Sequence, residues 1–184
     1  MQKNINCQFS LAIMSDDFKN KILNAIKHVD TTNIKSQTDA LSTTYHGPKH
    51  HVLTALKTCF VATNDQQTHI TCEATISSSS TPSHTPPSPT SPVPTTKFQT
   101  LAQIAYHPLG IINYIDHITH IQNQATLHNL SVTISNTHNI QLTGDVGDIF
   151  NYINEIITYS EQNTPQYTIQ LKLSINSPTK PNTN

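Results

Sequence analysis

The sequence of 184 residues contains no arginine; all ten of its basic side chains are lysines. Specific nucleic-acid readers rely on arginine and on clustered positive charge, and the formal net charge here is −1, so that class of partner is set aside. Glycine is scarce, with four in the whole chain, and no phosphate-cradling glycine loop is present. Cysteine is limited to three. An odd number argues against a disulfide framework and fits a reducing, cytoplasmic setting. Met1–Asn6 has no apolar signal core, and no hydrophobic run approaches the length of a bilayer span. Paired carboxylates suited to acid–base work are missing too, since Asp16 and Asp17 read as helix-start residues. Catalysis therefore has little to stand on, and no catalytic residue is assigned.

What is abundant is proline and hydroxyl in one place. Residues 77–96, SSSSTPSHTPPSPTSPVPTT, are all Ser, Thr or Pro except His84 and Val93, and they hold six of the eleven prolines. Such a stretch lacks amide donors and apolar surface to offset the cost of ordering, so it reads as an extended, solvent-exposed linker. The expected division is a first unit over 1–78, a linker over 79–96 and a second unit over 97–184.

The first unit opens with alternation over Asn4 to Met14. Cys7, Phe9, Leu11 and Ile13 share one face; Gln8, Ser10, Ala12 and Met14 share the other. Ser15 with Asp16 and Asp17 is read as the N-cap of a helix whose apolar stripe is Phe18, Ile22, Ala25, Ile26 and Val29. Two short strands follow, IKSQT and ALSTTYH, turning near Asp39. Gly47-Pro48 starts a second helix with the stripe Val52, Ala55, Leu56, Cys59 and Phe60. Thr68 to Ser77 alternates again, with Ile70, Cys72, Ala74 and Ile76 inward. The order is β-α-β-β-α-β, the ferredoxin-like arrangement.

The second unit repeats it. Thr100 to Leu109 lies over CQFSLAIM, with Gln103 opposite Gln8. Ile111, Ile112, Ile115 and Ile118 are expected to form the first helix stripe. LHNLSVTI and THNIQL are the middle strands. Asp145 is a helix N-cap before Ile149, Phe150, Ile153, Ile156 and Ile157. Ile169, Leu171, Leu173 and Ile175 face inward on the last strand. The fold class is α+β, a tandem of two ferredoxin-like repeats, joined either edge to edge or by packing of their sheet faces. The outward faces are polar and weakly charged, which suits a small polar ligand or a wet interface.

Eleven histidines invite a metal reading. His50 and His51 are expected on different sides of their helix, and His117 and His120 on one face. No cysteine or carboxylate pattern completes either set, so no metal site is assigned. Cys7, Cys59 and Cys72 fall at inward positions and read as small core hydrophobes. The run from Gln37 to Thr43 differs, because it sets the Asp39 carboxylate beside the hydroxyls of Ser42 and Thr43 at a strand turn. An aspartate there can simply hold the turn. It can also accept from the amino group of an aminopyrimidine while a hydroxyl donates to the ring nitrogen.

CQFSLAIM, the stretch TDALST followed by a short strand and HG before a helix, and the closing LSINSP resemble the YkoF-like thiamin/hydroxymethylpyrimidine-binding family. The resemblance covers both halves in the same order and leaves out the linker. It implies a cytoplasmic, non-enzymatic homodimer that binds thiamin or its hydroxymethylpyrimidine moiety, needs no cofactor and is associated with an uptake transporter. It further implies a first-repeat site at Asp39, Ser42, Thr43, Gln8, Ser10, Met14 and Ser77. The corresponding second-repeat positions are Gln103, His107, Asn136, Asn139 and Ser174. Ala12-Ile13 departs from the aromatic-proline pair of the family, whereas the second repeat keeps His107-Pro108. Asn136 in place of Asp39 removes the counter-charge for a cationic ligand, so the second site is expected to be weaker, altered or absent. The competing reading is a ligand-free dimeric interaction module docking through its polar sheets.

Overall fold

The computed structural model describes residues 3–82, 97–134 and 139–179. In chain order the elements are β1 (Lys3–Ile13), α1 (Phe18–Lys27), β2 (Lys35–Thr38), β3 (Thr43–Pro48), α2 (Lys49–Ala62) and β4 (Ile70–Pro82). The second half supplies β5 (Gln99–Leu109), α3 (Tyr114–Gln124), β6 (Ser131–Ile134), β7 (Asn139–Asp145), α4 (Val146–Asn163) and β8 (Gln166–Ile175). A single 3-10 turn, Ala125–Leu127, follows α3.

The two βαββαβ units share one sheet. Its order is β2-β3-β1-β4-β8-β5-β7-β6, every neighbour antiparallel. Of the two ways of joining the repeats, edge-to-edge pairing is the one found. Ile70, Cys72, Ala74 and Ile76 of β4 stand opposite Ile175, Leu173, Leu171 and Ile169 of β8. These inward residues are all buried, and one continuous core runs from Ile5 to Ile175. Near the middle of the seam, on the outer face, Glu73 Oε1 lies 3.2 Å from Lys172 Nζ. Pairing two edges this way removes two open strand borders that would otherwise invite association.

Both second helices form as the sequence directs. Pro48 takes the N-cap of α2 at φ −57°, one residue before the helix, where its missing amide hydrogen costs nothing. The Asp145 carboxylate caps α4 by accepting from Gly147 N at 2.8 Å. Glycine precedes each cap for the same reason. A Cβ at Gly47 would come within 3.0 Å of Asn33 O and Ile34 Cγ2, and one at Gly144 within 2.5 Å of Leu130 Cδ2. The segments entering β2 and β6 pass too close for a side chain.

The first helices differ from expectation. α1 begins at Phe18 after Asp17, which makes no side-chain cap; Ser15 Oγ instead accepts from Asp17 N at 3.2 Å. Of its stripe only Ala25 is fully buried, while Phe18 and Ile26 remain 44% and 48% exposed. In α3 the buried positions are Ile118, Ile121 and Gln122, not Ile111, Ile112 and Ile115. Gly110 turns the chain at φ +75°, and the helix starts four residues later, leaving Ile112 95% exposed before it. β4 also runs to Pro82, four residues into the stretch read as linker; residues 83–96 lie outside the described part. Among the described residues no helix is long and apolar enough to cross a membrane.

Candidate functional site

The helices cover one face of the sheet, but α1 covers its share incompletely. Ile22 and Ile26 of α1, with Val29 just beyond its end, roof a cavity of about 250 Å³. Phe9 and Leu11 of β1, Tyr45 of β3 and Cys59 of α2 make its floor and sides, and Ser36, Thr38 and the loop 39–42 its mouth. Asp39, Ser42, Thr43 and Ser10 all line it. On the uncovered face of the sheet a shallower groove of about 440 Å³ is bounded by Gln8, Ser10, Ser42, Glu73, Thr75, Gln170 and Lys172. Leu41 is 87% exposed and lines both spaces, so the β2–β3 loop is the partition between them.

The loop is held by Asp39. Its Oδ1 accepts from Leu41 N and Ser42 N, each at 2.8 Å, while Asp39 N donates to Ser42 O at 3.0 Å. This is an Asx-type turn built on the aspartate side chain. The backbone amides of Leu41 and Ser42 hold the carboxyl below its ordinary value, so it is charged at neutral pH. Those two bonds occupy Oδ1, leaving Oδ2 as an acceptor at the cavity mouth. Gln8 Nε2 donates to Ser42 Oγ at 2.9 Å, so the serine accepts there, and its hydroxyl also sits beside the Asp39 carboxylate, which it helps to keep charged. Thr43 Oγ1 lies 3.0 Å from Thr38 Oγ1 across the hairpin. A fixed carboxylate, an oriented hydroxyl and a largely apolar pocket are thus brought together.

Five of the seven first-repeat candidates, Asp39, Ser42, Thr43, Gln8 and Ser10, converge at this loop. Met14 and Ser77 do not line either space. Met14, just past the end of β1, is six residues from Gln8, roughly 20 Å away at strand spacing. Its Sδ lies 3.2 Å from His69 Nδ1, and His69 Nε2 is 3.0 Å from Ser174 Oγ, so a first-repeat and a second-repeat candidate meet there through a histidine. Ser77 sits between Asn6 and Thr168 in the sheet. In the second repeat, Gln103 faces Gln141 and Lys172, His107 pairs with Thr168, and Asn139 pairs with Ala105. Asn136 lies outside the described residues. The strand register aligns Asn139 with Ser42, because Ile140 stands against Ile104 as Thr43 stands against Phe9.

The walls of the cavity were not legible as site residues. Phe9, Ile22, Ile26, Val29, Tyr45 and Cys59 have ordinary core spacing, and only the narrow apolar stripe of α1 hints that it cannot seal three strands. All three cysteines are buried thiols. Burial pushes Cys7 up to about 12 and Cys59 to about 11, and raises Cys72 well above the usual thiol value. Such groups are poor nucleophiles. The rings of His50 and His51, expected on different sides of α2, are stacked with centroids 4.5 Å apart. His117 and His120 both meet Tyr159, at 2.8 Å from Nδ1 to the hydroxyl and 4.4 Å between ring centroids. Among the described residues no three His, Cys, Asp or Glu side chains group as metal ligands.

The YKOF-related family matches residues 4–84 and 99–180, each repeat separately, with the break falling in the Ser/Thr/Pro stretch. A Bacillus subtilis (strain 168) protein named "Putative HMP/thiamine-binding protein YkoF" is 29% identical over 186 residues, covering 95% of this chain and 92% of that protein. A hypothetical protein, MJ1052 from Methanocaldococcus jannascii, is 16% identical, with a TM-score of 0.41 over 46% of this chain and 88% of its own. The aspartate kinase of Clostridium acetobutylicum is 11% identical, with a TM-score of 0.23 over 88% of this chain and 34% of its own. Both scores are too low to support an argument about fold.

Proposed function

The chain belongs to the YKOF-related family, and from that premise we propose that it binds thiamin or its hydroxymethylpyrimidine moiety without chemical conversion, as a cytoplasmic carrier or sensor linked to vitamin uptake. The observation that carries the reading is the meeting of Asp39, Ser42 and Thr43 at the mouth of an apolar cavity. Asp39 Oδ2 accepts from the exocyclic amino group, and the Ser42 hydroxyl, already accepting from Gln8, donates to the ring nitrogen beside it. Phe9, Tyr45 and the α1 side chains flank the ring. A cavity of about 250 Å³ suits one aromatic ring, and the cationic thiazolium of the whole vitamin extends past Leu41 toward the groove holding Glu73. The second repeat offers Asn136 and Asn139 in place of Asp39 and Ser42, so one strong site per chain follows.

Titration calorimetry with thiamin and with hydroxymethylpyrimidine tests this. Micromolar affinity, about −8 kcal/mol at 1 µM, with close to one ligand per chain supports it. Absence of heat and of any thermal shift with either ligand overturns it. A second reading is favoured by the outer sheet face, where the Glu73–Lys172 pair is flanked by Gln8, Thr75, Gln170 and Gln103. Such a face suits a wet interface in a homodimer, with or without an uptake transporter as partner. A ligand-free interaction module predicts dimers by sedimentation and no response to either ligand.

A further inference from the structure

A further open groove, of about 280 Å³, lies on the helix layer along the seam between the repeats. α2 and α4 run antiparallel there, since Lys49 at the start of α2 meets Glu161 near the end of α4 at 3.0 Å. His50, Leu53 and Lys57 are spaced i, i+3 and i+7, one face of α2 over two turns, and Phe150, Asn151 and Asn154 face them from α4. Among the described residues, Lys57, Asn151 and Asn154 spend no side-chain donor on another protein group. Lys49, by contrast, donates to both Glu161 and Thr158. An ammonium and two exposed amides therefore border one seam. His50 has its Nε2 buried with no partner, and burial with the neighbouring His51 and Lys49 holds its ring below the ordinary value, hence neutral.

The Lys57 end of the groove abuts the start of α4. A Cβ placed on Gly147 would lie 3.8 Å from Lys57 Nζ, so the ammonium hangs over the first turn of α4, the positive end of that helix. Asp145 and Asp148 belong to the same turn, but neither lies within ion-pair distance of Lys57, and Asp145 Oδ1 is spent on Gly147 N. The two ends of the groove are chemically different. One has an ammonium, an amide and the Phe150 ring; Leu53 lies between; the other has a neutral imidazole and an amide. We propose that the α2–α4 seam binds a small organic oxyanion, its phosphate or carboxylate held by Lys57 and Asn151, its apolar body along Leu53 and Phe150, and a polar end toward His50 and Asn154. Because both helices contribute, the ligand would tie the two repeats together at a place separate from the cavity under α1.

Phenyl phosphate and benzoate serve as probes for the two oxyanion sources, with neutral phenol as the control. The full chain is titrated while the histidine ring signals are followed by long-range proton–nitrogen NMR. A saturable shift of the His50 ring with either anion, absent with phenol, is the expected result; the tighter anion identifies the source. Lys57→Gln should weaken it by on the order of tenfold, and Lys19→Gln, an equal charge change on the exposed face of α1, should leave it unchanged. Asn154→Asp, which brings a carboxylate to the seam, should weaken it as well. No saturation by either anion at millimolar concentration, or equal effects of the Lys57 and Lys19 variants, overturns the proposal.

Discussion

Ile76→Ala probes whether the shared sheet makes the two repeats one cooperative body. Ile76 is fully buried on β4, with Cys7 of β1 on one side and Ile169 of β8 on the other, both also fully buried. The substitution removes the Cγ1, Cγ2 and Cδ1 carbons, about 2.4 kcal/mol of transfer energy at about 0.8 per carbon. The hole left between two neighbouring strands adds to this, for a total of about 3–4 kcal/mol. In a chain of this size that lowers Tm by about 10 °C. The chain carries its own half-specific probes: Cys7, Cys59 and Cys72 all lie in the first repeat, and five of the six tyrosines lie in the second. Urea unfolding followed by thiol labelling and by near-ultraviolet tyrosine dichroism should shift to the same lower midpoint with both probes. A thiol midpoint that falls while the tyrosine midpoint stays in place would refute a single cooperative unit, whatever the sheet pairing.

Asp39→Asn retains an oxygen able to accept from Leu41 N and Ser42 N, so thermal stability should hold while affinity for a cationic ligand drops by on the order of tenfold in calorimetry. Equal affinity in that variant removes the charge role given to Asp39. Asp145→Ala strips the cap from α4 and should cost about 1 kcal/mol in urea denaturation, with Asp145→Asn recovering most of it. The thiols set an alkaline limit. Burial holds Cys7 and Cys59 protonated, at about 12 and 11, above the ordinary thiol value, so the folded state binds these protons more tightly than the unfolded chain. Their contribution is complete below pH 9 and is lost as pH rises from 9 toward those values; a stability profile flat across that range would contradict their burial.

Much of the layout was written in local pattern. Alternation in β1, β4, β5 and β8 and the stripes of α2 and α4 are strong because each of those faces is fully buried, and burial is what enforces strict periodicity. α1 and α3 are weaker for the same reason: they sit half-exposed, so Phe18, Ile26 and Ile115 can be apolar without reporting which way the helix turns. The candidate site was legible only at its mouth. Asp39, Ser42 and Thr43 are polar residues at a turn and so stand out, whereas Tyr45 and Cys59 look like any core residues until the gap beneath α1 is known. Met14 shared a strand face with Gln8, yet distance along the strand carries it to His69 and Ser174 instead.

By itself the amino-acid order determined two βαββαβ units, their inward faces, the glycine-plus-cap starts of α2 and α4, and a carboxylate turn in the first unit but not the second. Tertiary structure alone decided that β4 pairs with β8, that α1 leaves a cavity, and that α2 and α4 meet along a seam with unspent donors. Periodicity records which side of an element is dry. It holds no record of which edge meets which, because backbone hydrogen bonds across a sheet are the same for every side chain.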